Sequence, residues 1–358
     1  MASRKPATME TTFCRPEGYN TVRHYLLIDG TYMGEGVGTV PRSDVYGHYG
    51  KADNLLQLVR FNREGDKPVV LMNWQGHPRG TAPNSHTTAT PNYAGIMRST
   101  VEDGLDCYGS FFLSGSGNLN NNSQISGEVK GENYLELGRM LGQEAIAAAA
   151  NFKPANTGDI QVAASFLDIS GKEADAGVPL YAMSIGDVAF AFAPFEIFDT
   201  NAMAVKETSD FKMTFYSSCS NESHSYLPTD PSFDWVHHYE VRVTKYPKGT
   251  AQVVQDILTG LLDECFAASG NEVVEKEEGY ITPEFEPVSD GVVYMNPAAG
   301  DLTAYTQVEN GFCQVTLLNG STVKKVLTLN PEVAVEVLAQ PTVKLLFNEQ
   351  NVVVGVAE

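Results

Sequence analysis

Three polar segments of the chain each carry one side chain that could bind a metal ion, and each follows a run of residues typical of a β-strand. His77 follows Val69–Met72, Glu196 follows Val188–Phe192, and Tyr226 lies in the polar loop after Phe211–Tyr216. An imidazole, a carboxylate and a phenol can form part of a catalytic zinc site that keeps one position open. Zinc in such a site lowers the pKa of a bound water molecule to about 7 and polarises a carbonyl group.

His77 taken by itself also has an ordinary explanation, as a surface imidazole after a strand. Pro78, Gly80 and Pro83 prevent regular structure from continuing past it. In open α/β sheets, however, ligands bind in the crevice beyond the carboxyl ends of the strands. These residue types alone therefore leave both interpretations open.

The elements that must position these side chains alternate between strand and helix patterns up to residue 267. This alternation predicts an α/β fold with a mixed sheet and flanking helices. Residues 1–19 are polar and are predicted to be a disordered lead, and residues 20–269 form the α/β domain. The acidic segment 270–287 is predicted to be a linker, and the short β-branched runs of 288–358 predict a small all-β module.

Composition limits the partners and the compartment of the protein. A net charge of −20 argues against nucleic acid and against anionic membrane surfaces as partners. Five scattered cysteines without a CxxC pair form neither a zinc ribbon nor a disulfide framework, which favours a reducing compartment. No stretch is apolar enough for a membrane span, and no secretory signal precedes residue 20. We therefore expect a cytoplasmic protein if Met1 is the natural start, and allow a secreted one if the chain is truncated.

The loop Ser114–Asn122 is rich in glycine and asparagine, and such loops can present backbone N–H groups to an anion. It lacks the lysine and the spacing of a phosphate-binding loop. Nucleotide binding is therefore not predicted for this loop.

Four segments come in a characteristic order along the chain. They are Asn73-Trp-Gln-Gly-His77-Pro, Gly115-Ser-Gly-Asn-Leu-Asn120, the segment from Ile185-Gly-Asp187 to Pro194-Phe-Glu196, and Asn221-Glu-Ser-His-Ser-Tyr226-Leu-Pro-Thr229. In this order and spacing they resemble the neutral/alkaline (non-lysosomal) ceramidase family, in particular its shorter bacterial members. The resemblance covers about residues 20–267.

This resemblance implies a zinc-dependent hydrolase that cleaves the amide bond of ceramide, an N-acylsphingosine, to give sphingosine and a fatty acid. It assigns His77, Glu196 and Tyr226 as zinc ligands, with Tyr226 also a catalytic residue. The implied mechanism is attack of zinc-bound water on the amide carbonyl, with zinc stabilising the oxyanion. The implied partner is a small lipid amide, and the sequence gives no oligomeric state.

The chain also departs from the family pattern. The family's first zinc histidine lies in an upstream His-Thr-His-Ser-Gly-Pro motif that this sequence lacks, so we expect residues 20–269 to be an N-terminally incomplete ceramidase-like domain. Thr90 stands where the family has a serine, and it is the second catalytic candidate. Asn92 and Asn118 stand where the family has aspartates, and Asn118 is a candidate for substrate binding.

Other side chains could complete the site. Four histidines are candidates for the missing ligand: His24, His48, His86 and His224. His237 and His238 cannot both bind one ion, because adjacent residues of a strand point to opposite faces. Arg79 could bind the substrate and stabilise an oxyanion, although a surface role is the alternative.

Three functions remain open at this point. The first is a ceramidase-like zinc amide hydrolase, weakened or incomplete in this form. The second is a degenerate, non-catalytic member that binds a lipid or a glycan, which the missing histidine and the changes from acid to amide motivate. The third is a metal-dependent hydrolase of another amide or an ester.

Overall fold

The computed structural model describes most of the chain. The described residues are 5–27, 32–34, 45–48, 51–78, 89–121, 129–131, 133–168, 177–234, 238–281, 289–294, 303–309, 312–319, 322–329, 342–347 and 353–357.

Five α-helices lie within these ranges. They are α1 (Asn92–Leu105), α2 (Tyr134–Ala148), α3 (Asp199–Thr208), α4 (Tyr239–Val243) and α5 (Thr250–Ser269). The start of α2 shows how the sequence sets a boundary, because the side chain of Asn133 accepts hydrogen bonds from the N–H groups of Leu135 and Glu136. None of the described helices is long and apolar enough to cross a membrane.

The strands are numbered in chain order. They are β1 (Ala7–Cys14), β2 (Thr21–Val22), β3 (His24–Leu27), β4 (Tyr32–Gly34), β5 (Val45–His48), β6 (Leu56–Arg63), β7 (Val69–Trp74), β8 (Tyr108–Leu113), β9 (Leu119–Asn120), β10 (Lys153–Ala155), β11 (Ile160–Leu167), β12 (Val178–Ile185), β13 (Val188–Phe192), β14 (Glu196–Ile197), β15 (Met213–Ser217), β16 (Tyr226–Leu227), β17 (Ser289–Tyr294), β18 (Thr303–Glu309), β19 (Phe312–Asn319), β20 (Thr322–Leu329), β21 (Thr342–Phe347) and β22 (Val353–Ala357).

The chain divides into two compact units. The first comprises Met1–Thr21, Ala52–Phe233 and Glu240–Thr282, and the second comprises Val22–Lys51, Asp234–Tyr239 and Pro283–Glu358. Within the second unit, β3, β4 and β5 form one sheet, and β17 to β22 form a six-stranded sheet in the order β17-β21-β22-β20-β19-β18. Most of the predicted β-branched runs of the C-terminal region therefore form strands, whereas the run at residues 333–338 lies outside the described residues.

The first unit is built in four layers. One sheet has the strand order β10-β1-β6-β7-β8, and the other has the order β11-β12-β13-β15. Side chains of both sheets, among them Val59 and Phe215, form the core between them. The outer face of the first sheet packs against α1 and α2, and that of the second against α3 and α5. This is the predicted α/β fold of mixed sheets with flanking helices.

Two predictions about chain organisation need correction. The disordered lead predicted for residues 1–19 is wrong for Ala7–Cys14, because β1 pairs with β6 along its full length and with β10. Its polar sequence concealed an alternation in which Met9 and Thr11 are buried. The linker predicted for residues 270–287 is likewise wrong around Tyr280, which is fully buried in the core between the sheets.

Candidate metal centre

The carboxyl ends of four strands meet at one edge of the first unit. β7 runs parallel to β8, and β13 runs parallel to β15. Backbone hydrogen bonds join the segments beyond these ends: Ser114 N–H donates to the Trp74 carbonyl at 3.0 Å, and Ser218 N–H donates to the Leu113 carbonyl at 2.8 Å. The loops that follow β7, β8, β13 and β15 are therefore held together, as expected for a ligand site in an α/β fold.

The structure brings His77, Glu196 and Tyr226, here called the ligand group, into contact at this edge. His77 Nε2 lies 3.2 Å from Glu196 Oε2 and 3.4 Å from the Tyr226 hydroxyl. The side chains of His77 and Glu196 are 24% and 27% exposed, whereas Tyr226 is 8% exposed. One nitrogen and two oxygen atoms thus converge at a position that solvent can reach.

Backbone pairing fixes the relation between Glu196 and Tyr226. They are direct neighbours in the short parallel pair β14 and β16, and Glu196 N–H donates to the Ser225 carbonyl at 3.0 Å. The loop that leads to Tyr226 has three non-glycine residues in the left-handed region, Cys219 (φ 52°), Asn221 (φ 69°) and Ser225 (φ 73°). Such backbone is uncommon and tends to cluster at functional sites.

The His77 backbone is held from two sides. The Tyr93 hydroxyl donates to the Gly76 carbonyl, and Asn121 Nδ2 donates to the His77 carbonyl at 2.6 Å. His77 Nδ1 is buried and has no hydrogen-bond partner among the described residues. Among the described residues, the imidazole ring of His77 therefore makes its polar contacts through Nε2, with Glu196 and Tyr226.

Two glycines of the loop after β8 allow it to lie directly on the Glu196 segment. A Cβ atom on Gly117 would stand 2.4 Å from the Glu196 carbonyl oxygen, and one on Gly115 would stand 2.5 Å from Ala202 Cβ. Gly117 N–H donates to the Ile197 carbonyl at 2.8 Å. The glycine-rich motif that lacks phosphate-loop features thus serves close packing against the site.

Desolvation and charge act on the groups near the site. Desolvation, and after it the Glu196 carboxylate, raise the pKa of the Cys219 thiol to about 11. A neutral thiol therefore lies near Glu196 at pH 7. Burial raises the pKa of the Tyr216 hydroxyl, so this group also stays protonated.

The remaining predicted site residues have different surroundings. Thr90 Oγ1 accepts a hydrogen bond from Asn92 N–H at 3.0 Å, a local contact at the start of α1. Asn118 is buried, and its side chain is bound to Asp199. Arg79 lies outside the described residues. The catalytic role of Thr90 and the substrate-binding roles of Asn118 and Arg79 stay predictions.

The candidate histidines for a further ligand also differ in their contacts. Both ring nitrogens of His224 are engaged, by Glu222 at 2.5 Å and by Tyr246 at 2.9 Å. His48 Nδ1 is hydrogen-bonded to the Val22 carbonyl. His86, like His237, lies outside the described residues. Within the described part of the chain, no third His, Cys, Asp or Glu forms a close group with His77 and Glu196.

Two histidines of the second unit lie against one another. The rings of His24 and His238 are 4.3 Å apart between centroids, and both residues are buried. The sequence pointed to His24 as a ligand candidate, but gave no reason to join it with His238.

The donor atoms of the ligand group fit zinc by type and by spacing. Zinc accepts imidazole nitrogen and oxygen ligands at about 2.0–2.2 Å. In a tetrahedral site, ligands at that distance stand about 3.3–3.6 Å from each other. The separations of 3.2 and 3.4 Å in the ligand group match this spacing closely.

Sequence reasoning missed the residues that support the ligand group. Asn121 binds the His77 backbone, yet it looked like one more polar residue of a loop. The left-handed backbone at Cys219 and Ser225 leaves no mark in the sequence, since neither position is glycine. The paired glycines, Gly115 and Gly117, are the sequence signal from which a close approach could have been inferred.

Comparison with known proteins supports the fold. Models of known families find no match, and no curated protein sequence matches the chain. Among solved structures, the fold is similar to a ceramidase complexed with C2 (TM-score 0.56, 12% identity, covering 87% of this chain and 63% of that chain). It is also similar to the neutral ceramidase from Pseudomonas aeruginosa (TM-score 0.54, 13% identity, 87% and 62%). The chain thus has a fold like that of neutral ceramidases and spans less than two thirds of their length.

Proposed function

We propose that this protein is a zinc-dependent amide hydrolase that acts on N-acyl lipids of the ceramide type. The observation that carries the proposal is that Glu196 Oε2 and the Tyr226 hydroxyl lie 3.2 and 3.4 Å from His77 Nε2. The likeness of the fold to ceramidase structures supports the choice of an amide substrate. The ceramidase motifs of the sequence support the choice of an N-acylsphingosine.

The chain's own residues have distinct tasks in this proposal. His77, Glu196 and Tyr226 would hold the ion, which when bound polarises a carbonyl and lowers the pKa of water. The negative charge of Glu196 favours a cation here, and the partial exposure of His77 and Glu196 leaves an approach for substrate. In this proposal the Tyr226 hydroxyl would donate a hydrogen bond to the oxygen atom that gains charge as the amide carbonyl is attacked.

Metal analysis combined with an assay of fatty-acid release from N-acylsphingosine tests the proposal. We expect about one zinc per chain, loss of activity with a chelator, and recovery on adding zinc. His77→Ala should abolish both binding and release, whereas the control Glu64→Ala, at an exposed turn residue, should retain them. A zinc-loaded protein that releases no more fatty acid than His77→Ala would contradict the proposal.

Two alternatives predict other outcomes of the same experiment. Zinc binding without turnover of any amide or ester would favour a non-catalytic lipid- or glycan-binding protein. Turnover of other acyl amides or esters, but not of N-acylsphingosine, would favour a metal hydrolase of another substrate class.

A further inference from the structure

A group of charged side chains with almost no contact with water lies within the first unit. Lys206 Nζ donates to Asp53 Oδ2 at 2.5 Å, and each of these side chains is 1% exposed. Asp199 is also 1% exposed. We call Asp53, Asp199 and Lys206 the buried charge group. Buried ion pairs contribute little net stability compared with apolar residues of similar volume, so stability alone does not explain this group.

The buried charge group extends to Asn118 through a reciprocal pair of hydrogen bonds. Asn118 Nδ2 donates to Asp199 Oδ1 at 2.7 Å, and Asp199 N–H donates to Asn118 Oδ1 at 2.9 Å. The second carboxylate oxygen of Asp199 accepts from Asp53 N–H at 3.0 Å. A carboxylate only accepts, whereas an amide both donates and accepts, so the two side chains fit one another in a single orientation.

The loop that carries Asn118 touches both segments that bear metal-ligand candidates. On one side of Asn118, Gly117 N–H donates to the Ile197 carbonyl at 2.8 Å, directly after Glu196. On the other side, Asn121 Nδ2 donates to the His77 carbonyl at 2.6 Å. The position of this one loop therefore sets the distance between the backbones of His77 and Glu196.

Asp53 provides a second connection to the same segments. Its backbone carbonyl accepts from Gln75 Nε2 at 2.6 Å, two residues before His77. Its N–H reaches Asp199, three residues after Glu196. A chain of hydrogen bonds thus runs from the His77 segment through Asp53, Asp199 and Asn118 to the loop that holds both ligands.

We propose that Asn118 and Asp199 are a positioning pair that, together with Asp53 and Lys206, holds the His77 and Glu196 segments at the spacing that metal binding requires. This inference rests on the proposed function for its metal, and it assigns to Asn118 and Asp199 a role through their neighbours and not through contact with substrate. The pair consists of one amide and one carboxylate, and its role can be tested by exchanging these two groups between the positions.

A swap of the two side chains provides that test. Asn118→Asp places two carboxylates face to face, and Asp199→Asn removes an acceptor, so each single variant should raise the zinc dissociation constant about 10- to 100-fold. The double variant restores one donor and one acceptor between the two side chains, but the amide at position 199 then faces the Thr200 N–H that Asp199 Oδ1 accepts at 2.8 Å in the wild type. Its affinity should therefore recover in part, to a value between those of the single variants and wild type. Competition with a chromophoric chelator measures the affinity, and the absorption spectrum of the cobalt-loaded protein reports ligand geometry.

Hydrogen exchange provides a readout that does not depend on metal. In the single variants, exchange should rise in residues 114–121 and 194–199 and stay unchanged in α5, and it should recover in the double variant. Asn62→Asp is the matched control, because Asn62 Nδ2 donates to Glu10 at 2.6 Å at the end of the β6–β7 pair opposite to His77. This control should leave zinc affinity unchanged.

The outcomes separate the inference from the proposed function. If wild type binds no zinc, the proposed function fails, and recovery of exchange in the double variant still decides whether Asn118 and Asp199 position the loop. If a single variant does not fold while the double variant folds and binds zinc, the pair is supported. Unchanged zinc affinity in folded single variants, or a double variant no better than the worse single one, would overturn the inference.

Discussion

Two groups of polar side chains in the first unit differ sharply in their access to water. In the ligand group, the side chains of His77 and Glu196 are about a quarter exposed. In the buried charge group, Asp53 and Lys206 are 1% exposed. The exposed group keeps room for an ion and a substrate, whereas in the buried group a cation already lies against a carboxylate. Changes in the buried group should therefore reduce stability as well as zinc affinity, whereas changes in the ligand group should reduce zinc affinity with little effect on stability.

Removal of Lys206 should have the largest effect on stability. Lys206→Met leaves the Asp53 carboxylate buried without its nearest cation, and we expect the free energy of unfolding to fall by about 3–5 kcal/mol. Lys153→Met is the control, since Lys153 pairs with Glu277 while its side chain is 60% exposed, and it should cost less than about 1 kcal/mol. Equal losses of unfolding free energy in the two variants, measured by urea unfolding, would show that the buried pair contributes no more than the exposed one.

Gly117→Ala tests the close approach that joins the two groups. The new Cβ would stand 2.4 Å from the Glu196 carbonyl oxygen, and the backbone shift needed to relieve this contact should cost about 1–3 kcal/mol. Gly260→Ala is the matched control because its Cβ would meet nothing within 4 Å on α5, and it should stabilise the helix by about 1 kcal/mol. An unchanged free energy of unfolding in Gly117→Ala would show that the loop after β8 can move away from the Glu196 segment without cost.

Lys276 is a partly buried lysine, and its contribution to stability should depend on pH. Its ammonium donates to the Phe211 carbonyl, and desolvation lowers its pKa to about 8, against the opposing effect of Asp210 and Glu207. Because the folded pKa is below the unfolded value of 10.5, the unfolded chain binds more protons between these values. Stability from this group therefore rises with pH from about 8 to 10.5.

Thermal or urea unfolding at pH 7 and pH 9.5 measures this dependence. Relative to Lys276→Met, wild type should gain at most about 2 kcal/mol over this interval. Parallel stability curves for the two proteins would show that Lys276 keeps an ordinary pKa in the folded state.

Glu196→Gln should have the smallest effect on stability. Its side chain is 27% exposed and the substitution preserves shape, so we expect a change in unfolding free energy within about 0.5 kcal/mol. Zinc affinity should fall by at least about 100-fold, the upper end of the loss seen when an outer partner of a ligand is removed. A stability loss as large as that of Lys206→Met would contradict the distinction between the solvent-exposed ligand group and the buried charge group.

The two groups also differ in how well the sequence predicts them. His77, Glu196 and Tyr226 follow strand patterns, and carboxyl ends of neighbouring parallel strands meet at one edge, so their approach could be expected. Asp53 pairs with a lysine that lies 153 residues away. No local sequence pattern predicts such a pair, because an isolated aspartate before a strand and a lysine in a helix are usually at the surface.

The same distinction explains which parts of the fold were predicted correctly. The α/β class follows from alternation of apolar runs, which is a local property. β1 and Tyr280 were missed because their burial depends on pairing with β6 and on packing between the two sheets. A polar or acidic segment is buried in these cases by contacts that come from distant parts of the chain.

The most direct test of the ligand group is the position of zinc in crystals, measured by anomalous diffraction on both sides of the zinc absorption edge. We predict one strong peak about 2.0–2.2 Å from His77 Nε2, the Glu196 carboxylate and the Tyr226 oxygen. A peak beside the rings of His24 and His238, with none at His77, would contradict the account and move the metal centre to these two histidines.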